Sequence, residues 1–302
     1  MFLEPTVSQY GSRMVMTNVH QPTRTKYWNI DTQFSNDYTS SNPTEYNISL
    51  PEAINNVKTI KVTDVQIPIT FYNISSSLGN NLFKIVDSNN NSNTIILPDS
   101  QYNPVSLASA INDQLTLLGI DLTFDLSNNE HVCNIKNHSL TATYTVQFAI
   151  SSNGSCVGVN ADFDKNLLKS KLGWSLGFRN IEYSISPSGS QTSESIYFLN
   201  TKNLFLVVDE FSKGNQNTFI SPMYDSILNK NILAKISLDY ESFPFGSILN
   251  GNDGGGYLLS DCRSYSGKVN LQRLKLQLVT IHGLPVNMNG VDFSFSLEIT
   301  YE

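Results

Sequence analysis

The residues with the plainest chemical potential are Gly173-Trp174-Ser175-Leu176-Gly177, which match the G-x-S-x-G string of serine hydrolases. In those enzymes the serine occupies a strained turn between a strand and a helix, so that its hydroxyl faces a histidine base. His282 lies downstream, in the right order for that role. The flanking residues have the wrong character. DKNLLKSKL before the string reads as helix, and FRNIEYSIS after it reads as loop and strand. The expectation is therefore a buried glycine-aromatic turn in which Trp174, Leu176 and Phe178 pack into the core.

Other candidate groups give no firmer chemistry. Asp87-Ser88-Asn89-Asn90-Asn91 begins like a calcium loop but lacks the glycine at the sixth position and the distant bidentate glutamate, so a hairpin turn is expected. The stretch Asn250 to Gly256 (NGNDGGG) has the composition of a flexible loop. His20, His131, His138 and His282 show no metal-ligand spacing. No glycine-rich phosphate loop follows a strand. Glu182, Asp209 and Glu210 belong to no motif, and any pairing among such carboxylates is a matter of the fold. Cys133, Cys156 and Cys262 are odd in number and lack paired spacing, which argues against a disulfide framework or zinc site and suits a reducing compartment. No catalytic, cofactor-binding or metal-binding residue is assigned, and no enzyme activity is expected.

The elements that position these residues are mostly strands. In Val291 to Tyr301, apolar Val291, Phe293, Phe295, Leu297, Ile299 and Tyr301 alternate with polar residues, as a strand with one face in a core requires. Val269 to Ile281 reads as its hairpin partner across HGLPVNMNG. Tyr46, Ile48 and Leu50 predict a strand ending at Pro51, and Val57 to Ile67 a second ending at Pro68. Leu82 to Val86 and Thr94 to Leu97 predict a hairpin across DSNNNSN. Pro104 in a first turn, Asn103 or Ser100 as cap, Leu107, Ile111, Leu115 and Leu118 at helical spacing, and Gly119 as stop predict one helix. Strand patterns return at Ile120 to Leu126, at Ala142 to Ile150 and at Ile232 to Tyr240. Asn166 to Leu172 predicts a short helix, and the apolar run Asn203 to Asp209 a strand covered on both faces. The fold class that follows is all-β: a single jelly-roll sandwich with one or two short helices and long loop insertions. Residues 1–26 read as an extended arm, and 27–302 as the jelly roll, with insertions at about 151–200, 211–230 and 250–256.

Composition narrows the class further. The 302 residues are 40% hydrophobic, enough for a core, and only 15% charged, against about 25% in ordinary globular chains. Asparagine, which suits turns, is roughly one residue in nine. A net charge of -7 opposes direct nucleic-acid binding. The first thirty residues differ in sign, with Arg13, Arg24 and Lys26 against Glu4, as in an arm that is solvated or docks on an acidic neighbour. MFLEPTVSQY lacks the pattern of a signal peptide, and no apolar run approaches the ~20 residues of a transmembrane helix. The sequons at Asn47, Asn73, Asn90, Asn137 and Asn153 are expected to be unmodified.

Taken in order, several segments carry a resemblance. They are TKYWNIDTQF (25–34), EYNISLPEAINNVKTIKVTDVQIPITFYNI (45–74), NLFKI, ILPDSQYNPVSLASAINDQL, LGWSLGFRN, NLFLVVDEF and the closing VNLQRLKLQLVTIHGLPVNMNGVDFSFSLEITYE. Together they resemble the penton and minor capsid proteins of large nucleocytoplasmic DNA viruses, over most of residues 25–302. The resemblance implies a single jelly roll, assembled as a homo-pentamer at the icosahedral vertices of a virion, with no catalytic residues and no cofactor. It implies neighbouring major and minor capsid proteins as partners, a spike or vertex-associated protein as a further one, and assembly in the host cytoplasm. It leaves open a minor capsid protein elsewhere in the shell. From another class, a carbohydrate-binding attachment jelly roll and a serine hydrolase acting through Ser175 also stand open.

Overall fold

The computed structural model describes residues 22–36, 45–126, 131–152, 161–163, 168–195, 199–211 and 231–302. In chain order these form β1 (Arg24–Asp31), β2 (Tyr46–Pro68), β3 (Leu82–Asp87), β4 (Ser92–Ile96), α1 (Pro104–Leu117), β5 (Leu122–Asp125), β6 (Asn134–Asn137), β7 (Tyr144–Gln147), β8 (Ile150–Ser152) and β9 (Ala161–Phe163). The one-turn α2 (Leu172–Ser175) follows, then β10 (Glu182–Ile185), β11 (Ser190–Thr192), β12 (Asn203–Asp209), β13 (Ile232–Ser237), β14 (Ile248–Asn252), β15 (Leu258–Ser260), β16 (Arg263–Val279) and β17 (Ser294–Tyr301). The all-β expectation holds, with two α-helices among the described residues and every strand pairing antiparallel.

β2 organises the main sheet, whose order is β1-β17-β2-β16-β12-β13-β15, with β14 also on β2. The strands expected on either side of Pro51 are one strand of 23 residues. Ser49 pairs with Arg273 and Ile54 with Leu271, so Leu50 to Ala53 bulge opposite Gln272 alone. A proline has no N–H to give a ladder, and a bulge is where a strand tolerates one. Two further bulges explain the apolar spacing of β2. Lys58 and Thr63 are extra residues relative to β17, since Thr59 pairs with Thr300 and Val57 with Tyr301, while Asp64 pairs with Ser296 and Val62 with Leu297. Each bulge shifts the alternation by one. Val57, Ile60, Val62, Val65 and Ile67 therefore all reach the core, at 1% exposure or less, despite their three-residue gaps.

The sheet curls around a single core. β17 occupies one edge of β2, while β16 and then β14 share the other. β15, at the far end, returns to β2, where the Val62 N–H donates to Ser260 Oγ at 3.0 Å. Inward side chains from all eight strands fill the space between, among them Ile30, Val65, Leu206, Ile236, Leu276 and Phe295. The result is the curled antiparallel sandwich expected. Val269 to Ile281 and Val291 to Tyr301 are not a hairpin, however. β2 lies between them, and each pairs with it on a different edge. Alternation identifies strands but not their partners, and a core-lined strand with two free edges competes successfully with a local turn.

β12 is covered on both faces as expected. Leu204, Leu206 and Val208 face the main core, and Phe205 and Val207 join Ile232 and Val279 in a small cluster on the other side. Residues 74–199 gather a second core around Phe83, Phe124, Phe148 and Phe178. The β3–β4 hairpin and α1 belong to it. Asn103 caps α1 by accepting from Ser106 N, and Leu107, Ile111 and Leu115 are fully buried. Leu118 stays 43% exposed and Gly119 takes φ +64°, ending the helix where expected. The short helix expected at 166–172 is displaced: a 3-10 turn at Leu168–Ser170 precedes α2.

The chain crosses between the cores at residues 69–74 and 199–203, and amide side chains tie the crossings together. Asn73 Nδ2 donates to Tyr102 O at 2.8 Å and to Asn200 Oδ1 at 3.0 Å, while Gln101 Nε2 donates to the same Oδ1 at 3.1 Å. Two expected boundaries also shift. Residues 24–26, assigned to the arm, pair in β1, and Asn250–Asn252, assigned to a loop, pair in β14. In both, exposed side chains hide a hydrogen-bonded backbone. Residues 1–21 of the arm and 212–230 of an expected insertion lie outside the described residues. Among the described residues no helix is long and apolar enough to cross a membrane.

The alternation in β17 yields a paired test. Phe295 is 0% exposed, so Phe295→Ala should cost about 3–5 kcal/mol in urea unfolding. Ser296, on the opposite face, should tolerate alanine within about 0.5 kcal/mol. Equal losses would contradict the assigned faces.

Candidate functional site

Where the two cores meet, a cleft of about 300 Å³ collects Ser175 and His282, with Lys169, Arg179, Lys202 and Asn73 in the same wall. The fold thus brings together the two residues singled out as nucleophile and base. Their local geometry differs from a hydrolase site. Ser175 ends the one-turn α2, which follows a 3-10 turn, so the serine is on no strand-to-helix corner. Its backbone is not in the left-handed region that a strained elbow uses. No hydrogen bond joins Ser175 to His282, and among the described residues none that lines the cleft is a carboxylate that would orient the imidazole.

The glycines of the string have a packing role. A Cβ on Gly173 would lie 2.2 Å from the Phe148 ring. Gly177 has φ +94°, and a Cβ there would lie 2.2 Å from the carbonyl oxygen of Ser195. Leu176 and Phe178 are fully buried, and Phe178 stacks on Phe148 at 4.9 Å between centroids. Trp174 is half-buried under the Arg179 guanidinium, 4.1 Å from its ring. Arg179 is held in turn, with Nη1 donating to Trp174 O at 2.8 Å and Nη2 to Ser195 Oγ at 2.6 Å. The expected glycine-aromatic turn is the observed one.

The remaining candidates separate. Asp87 Oδ1 accepts from the backbone N–H groups of Asn89 and Asn91, both at 2.8 Å, and its carboxyl is held below the usual range by Asn91 first and Asn89 after it. The carboxylate closes a hairpin turn, as expected, with Asn90 in the left-handed region. His138 Nε2 lies 2.9 Å from Thr123 Oγ1. His20 and Cys156 lie outside the described residues. Cys133 is buried, with its thiol pushed up by desolvation, while Cys262 is exposed, and neither is bonded to another cysteine. Among the described residues no group of three or more His, Cys, Asp or Glu is placed to hold a metal ion. Asn73 and Asn137 are buried with their amides engaged, which closes both sequons to modification in the folded chain.

Of the isolated carboxylates, Glu182 accepts from Gln147 Nε2 at 3.2 Å and Asp209 from Phe211 N at 2.8 Å. Glu210 forms an ion pair that no motif announces. Its Oε2 is 2.5 Å from Arg263 Nη1, and both side chains are nearly inaccessible. The same guanidinium donates to Val208 O at 2.8 Å and Ile232 O at 3.4 Å, tying β12 to β13. Glu210 Oε1 and the Tyr265 hydroxyl are buried beside it outside ordinary hydrogen-bond geometry, yet near enough for the hydroxyl to help hold the carboxyl down. Desolvation raises the Glu210 carboxyl and the positive charge of Arg263 opposes it. The only sequence signal is an arginine in a strand whose neighbours alternate inward, which marks a buried charge in need of a partner.

No protein-family model matches the sequence, and no curated protein sequence does. Among solved structures, the mavirus penton protein superposes with a TM-score of 0.44 at 10% identity, covering 91% of this chain and 99% of that one. A chain of the Sputnik virophage gives a TM-score of 0.41 at 15% identity, covering 93% and 98%.

Two measurements check the cleft. Gly177→Ala should destabilise the protein by at least about 2 kcal/mol through the backbone clash and the positive φ, while Ser175→Ala stays within about 0.5 kcal/mol. The second concerns His282, whose pKa is lowered first by burial and then by the charge of Lys169. The unfolded chain binds the extra proton at a higher pH than the folded one. Stability from this group is therefore full above the unfolded value and is lost as pH falls through the folded value. An NMR titration should place His282 below the ordinary imidazole value of 6.5; a midpoint at or above it would contradict the burial of the ring.

Proposed function

We propose that the chain is a structural, non-enzymatic subunit of a viral shell, with its place as the penton forming pentamers at icosahedral vertices. The observation that carries this reading is where the resembling segments fall. They supply the framework itself: β1, β2, β3, α1, the Gly173–Gly177 turn, β12, β16 and β17. Their characteristic side chains are core residues, from Ile54 and Val57 of INNV to Leu176, Phe178, Leu206 and Phe295. A recurrent pattern spent on packing suits a rigid building block. A catalyst would place its signature residues where a substrate reaches them.

The physical demands of a shell subunit agree. A ring of identical subunits meets through two different patches, one on each side of each copy. Few charges and many Asn, Ser and Thr suit contacts made by neutral hydrogen bonds, which salt screens weakly. Neighbouring major and minor capsid proteins, and a spike or vertex-associated protein, are the proposed partners, and the basic residues of the first thirty, Arg13, Arg24 and Lys26, are the proposed dock for an acidic one. The domain reading is an N-terminal arm over residues 1–26 followed by one jelly roll over 27–302, with insertions at about 151–200, 211–230 and 250–256. Location in the virion after assembly in the host cytoplasm belongs to the same proposal.

Native mass spectrometry of the purified chain, followed by reconstruction of the particle, tests it. The expected result is a closed pentamer and density for the chain at the fivefold axis. A monomer at all concentrations, with no density in the shell, would overturn it. Labelling of Ser175 by a fluorophosphonate probe, abolished by His282→Ala, would favour the hydrolase instead.

A further inference from the structure

The main sheet has two free edges that complement each other. At one end of β2 the sheet is four strands wide, β1-β17-β2-β14, in the row Asp31, Ser294, Gln66, Asn250. Among the described residues β1 pairs only with β17 and β14 only with β2, apart from a bridge between Asp253, just past β14, and Leu258.

Register fixes which backbone groups are unused. Thr32 N–H donates to Phe293 O at 3.0 Å, directly opposite, so the even-numbered residues of β1 bond to β17. Thr25, Tyr27 and Asn29 then point their N–H and C=O groups away from the sheet. On β14, Ile69 N donates to Ser247 O at 2.8 Å and Asp253 N to Thr63 O at 2.9 Å, so the odd-numbered residues bond to β2. Ile248, Asn250 and Asn252 point outward there, although the Asn252 carbonyl already accepts from Gly255 N at 3.0 Å in the turn that follows. All six residues are exposed, and each edge carries an exposed apolar side chain, Tyr27 at 70% and Ile248 at 53%. Proteins usually blunt such edges with a proline, a covering loop or an inward charge. Neither edge strand contains a proline among the described residues; β1 does carry Arg24 and Lys26, with Lys26 Nζ 5.5 Å from the centre of the Tyr301 ring, but its outward residues Thr25, Tyr27 and Asn29 are uncharged.

We propose that β1 of one copy of this chain adds to β14 of the next, continuing the sheet across the subunit boundary. The inference rests on the reading of the chain as a self-assembling subunit and names the contact. Three features select a second copy as the occupant. The edges have opposite polarity, since β1 runs with β2 and β14 against it, so a copy placed alongside in the same orientation pairs antiparallel. In the register Tyr27 opposite Asn250, the outward groups of Tyr27 and Asn29 meet those of Asn250 and Ile248, and Thr25 meets the outward N–H of Asn252, whose carbonyl stays with Gly255. The same register sets Arg24 opposite Asp253, where the guanidinium would join the ion pair that Asp253 makes with Lys61. The two edges are different patches of one subunit, so the contact is heterologous and propagates around a ring.

Proline substitutions test the contact without breaking the subunit. Asn29→Pro and Asn250→Pro each remove an outward N–H that the internal ladder does not use, and edge strands tolerate proline at such positions. Sedimentation should show the parent chain assembled and both variants monomeric with an unchanged circular dichroism spectrum. In a Cys262→Ser background, chains carrying Tyr27→Cys mixed with chains carrying Asn250→Cys should form a disulfide-linked dimer of one of each. Directly opposite residues there are about 5.5 Å apart at Cα, within disulfide range. Assembly that survives both prolines, or mixed chains that link only to their own kind, overturns the edge contact and leaves the subunit reading standing. A parent chain that never assembles overturns both.

Discussion

Both edges of β2 are occupied along much of its length, and the rest of the main sheet follows from that. A strand hydrogen-bonded on two sides must be long enough for all its partners, and 23 residues let β17, β16 and β14 share it. Its bulges keep such a length compatible with one core. Without the extra residues at Lys58 and Thr63, a strict alternation would turn Val57 or Val65 toward water. Bulges also add local twist, which bends a long strand and curls the sheet it carries. The return of β15 to Val62 is the end point of that curl.

Polar groups hold the places where strands alone cannot. The crossings between the two cores have no ladder, and the amides of Asn73, Gln101 and Asn200 replace it with side-chain hydrogen bonds. Where β12 and β13 leave the sheet, the guanidinium of Arg263 bonds to a carbonyl from each strand and to Glu210. A buried ion pair adds little net stability over apolar packing, because two charges must be desolvated. Its directional bonds do fix which groups meet, here at the root of residues 212–230.

The strands, the one long helix and the covered β12 were legible in the sequence, because burial on one or both faces leaves a period. Pairing was not. Val269 to Ile281 and Val291 to Tyr301 have the look of a hairpin, and only the competing edge of β2, more than two hundred residues away in the chain, separates them. Pro51 was read as an end because a proline usually is one, and the bulge around it depends on the facing strand. The second core was hidden for a related reason: periodicity marks Phe83 or Ile111 as inward without saying inward to what. At the cleft, the helix-like flanks of the G-x-S-x-G string were visible in advance, whereas the meeting of Ser175 with His282 was not. Nothing in the sequence marked Glu210 as the partner of Arg263, since side-chain complementarity leaves no period.

The pairing of β1 with β17 sets Arg24 directly across from Tyr301. The first and last described strands thus share one corner of the sheet, a few ångströms apart. Polypeptide joined before β1 and polypeptide joined after β17 would leave the molecule at the same place and in nearly the same direction. A short peptide bridging the two would close the backbone into a circle, and a new break in an exposed turn such as Asn89–Asn90 would give a permuted chain with every strand pair intact.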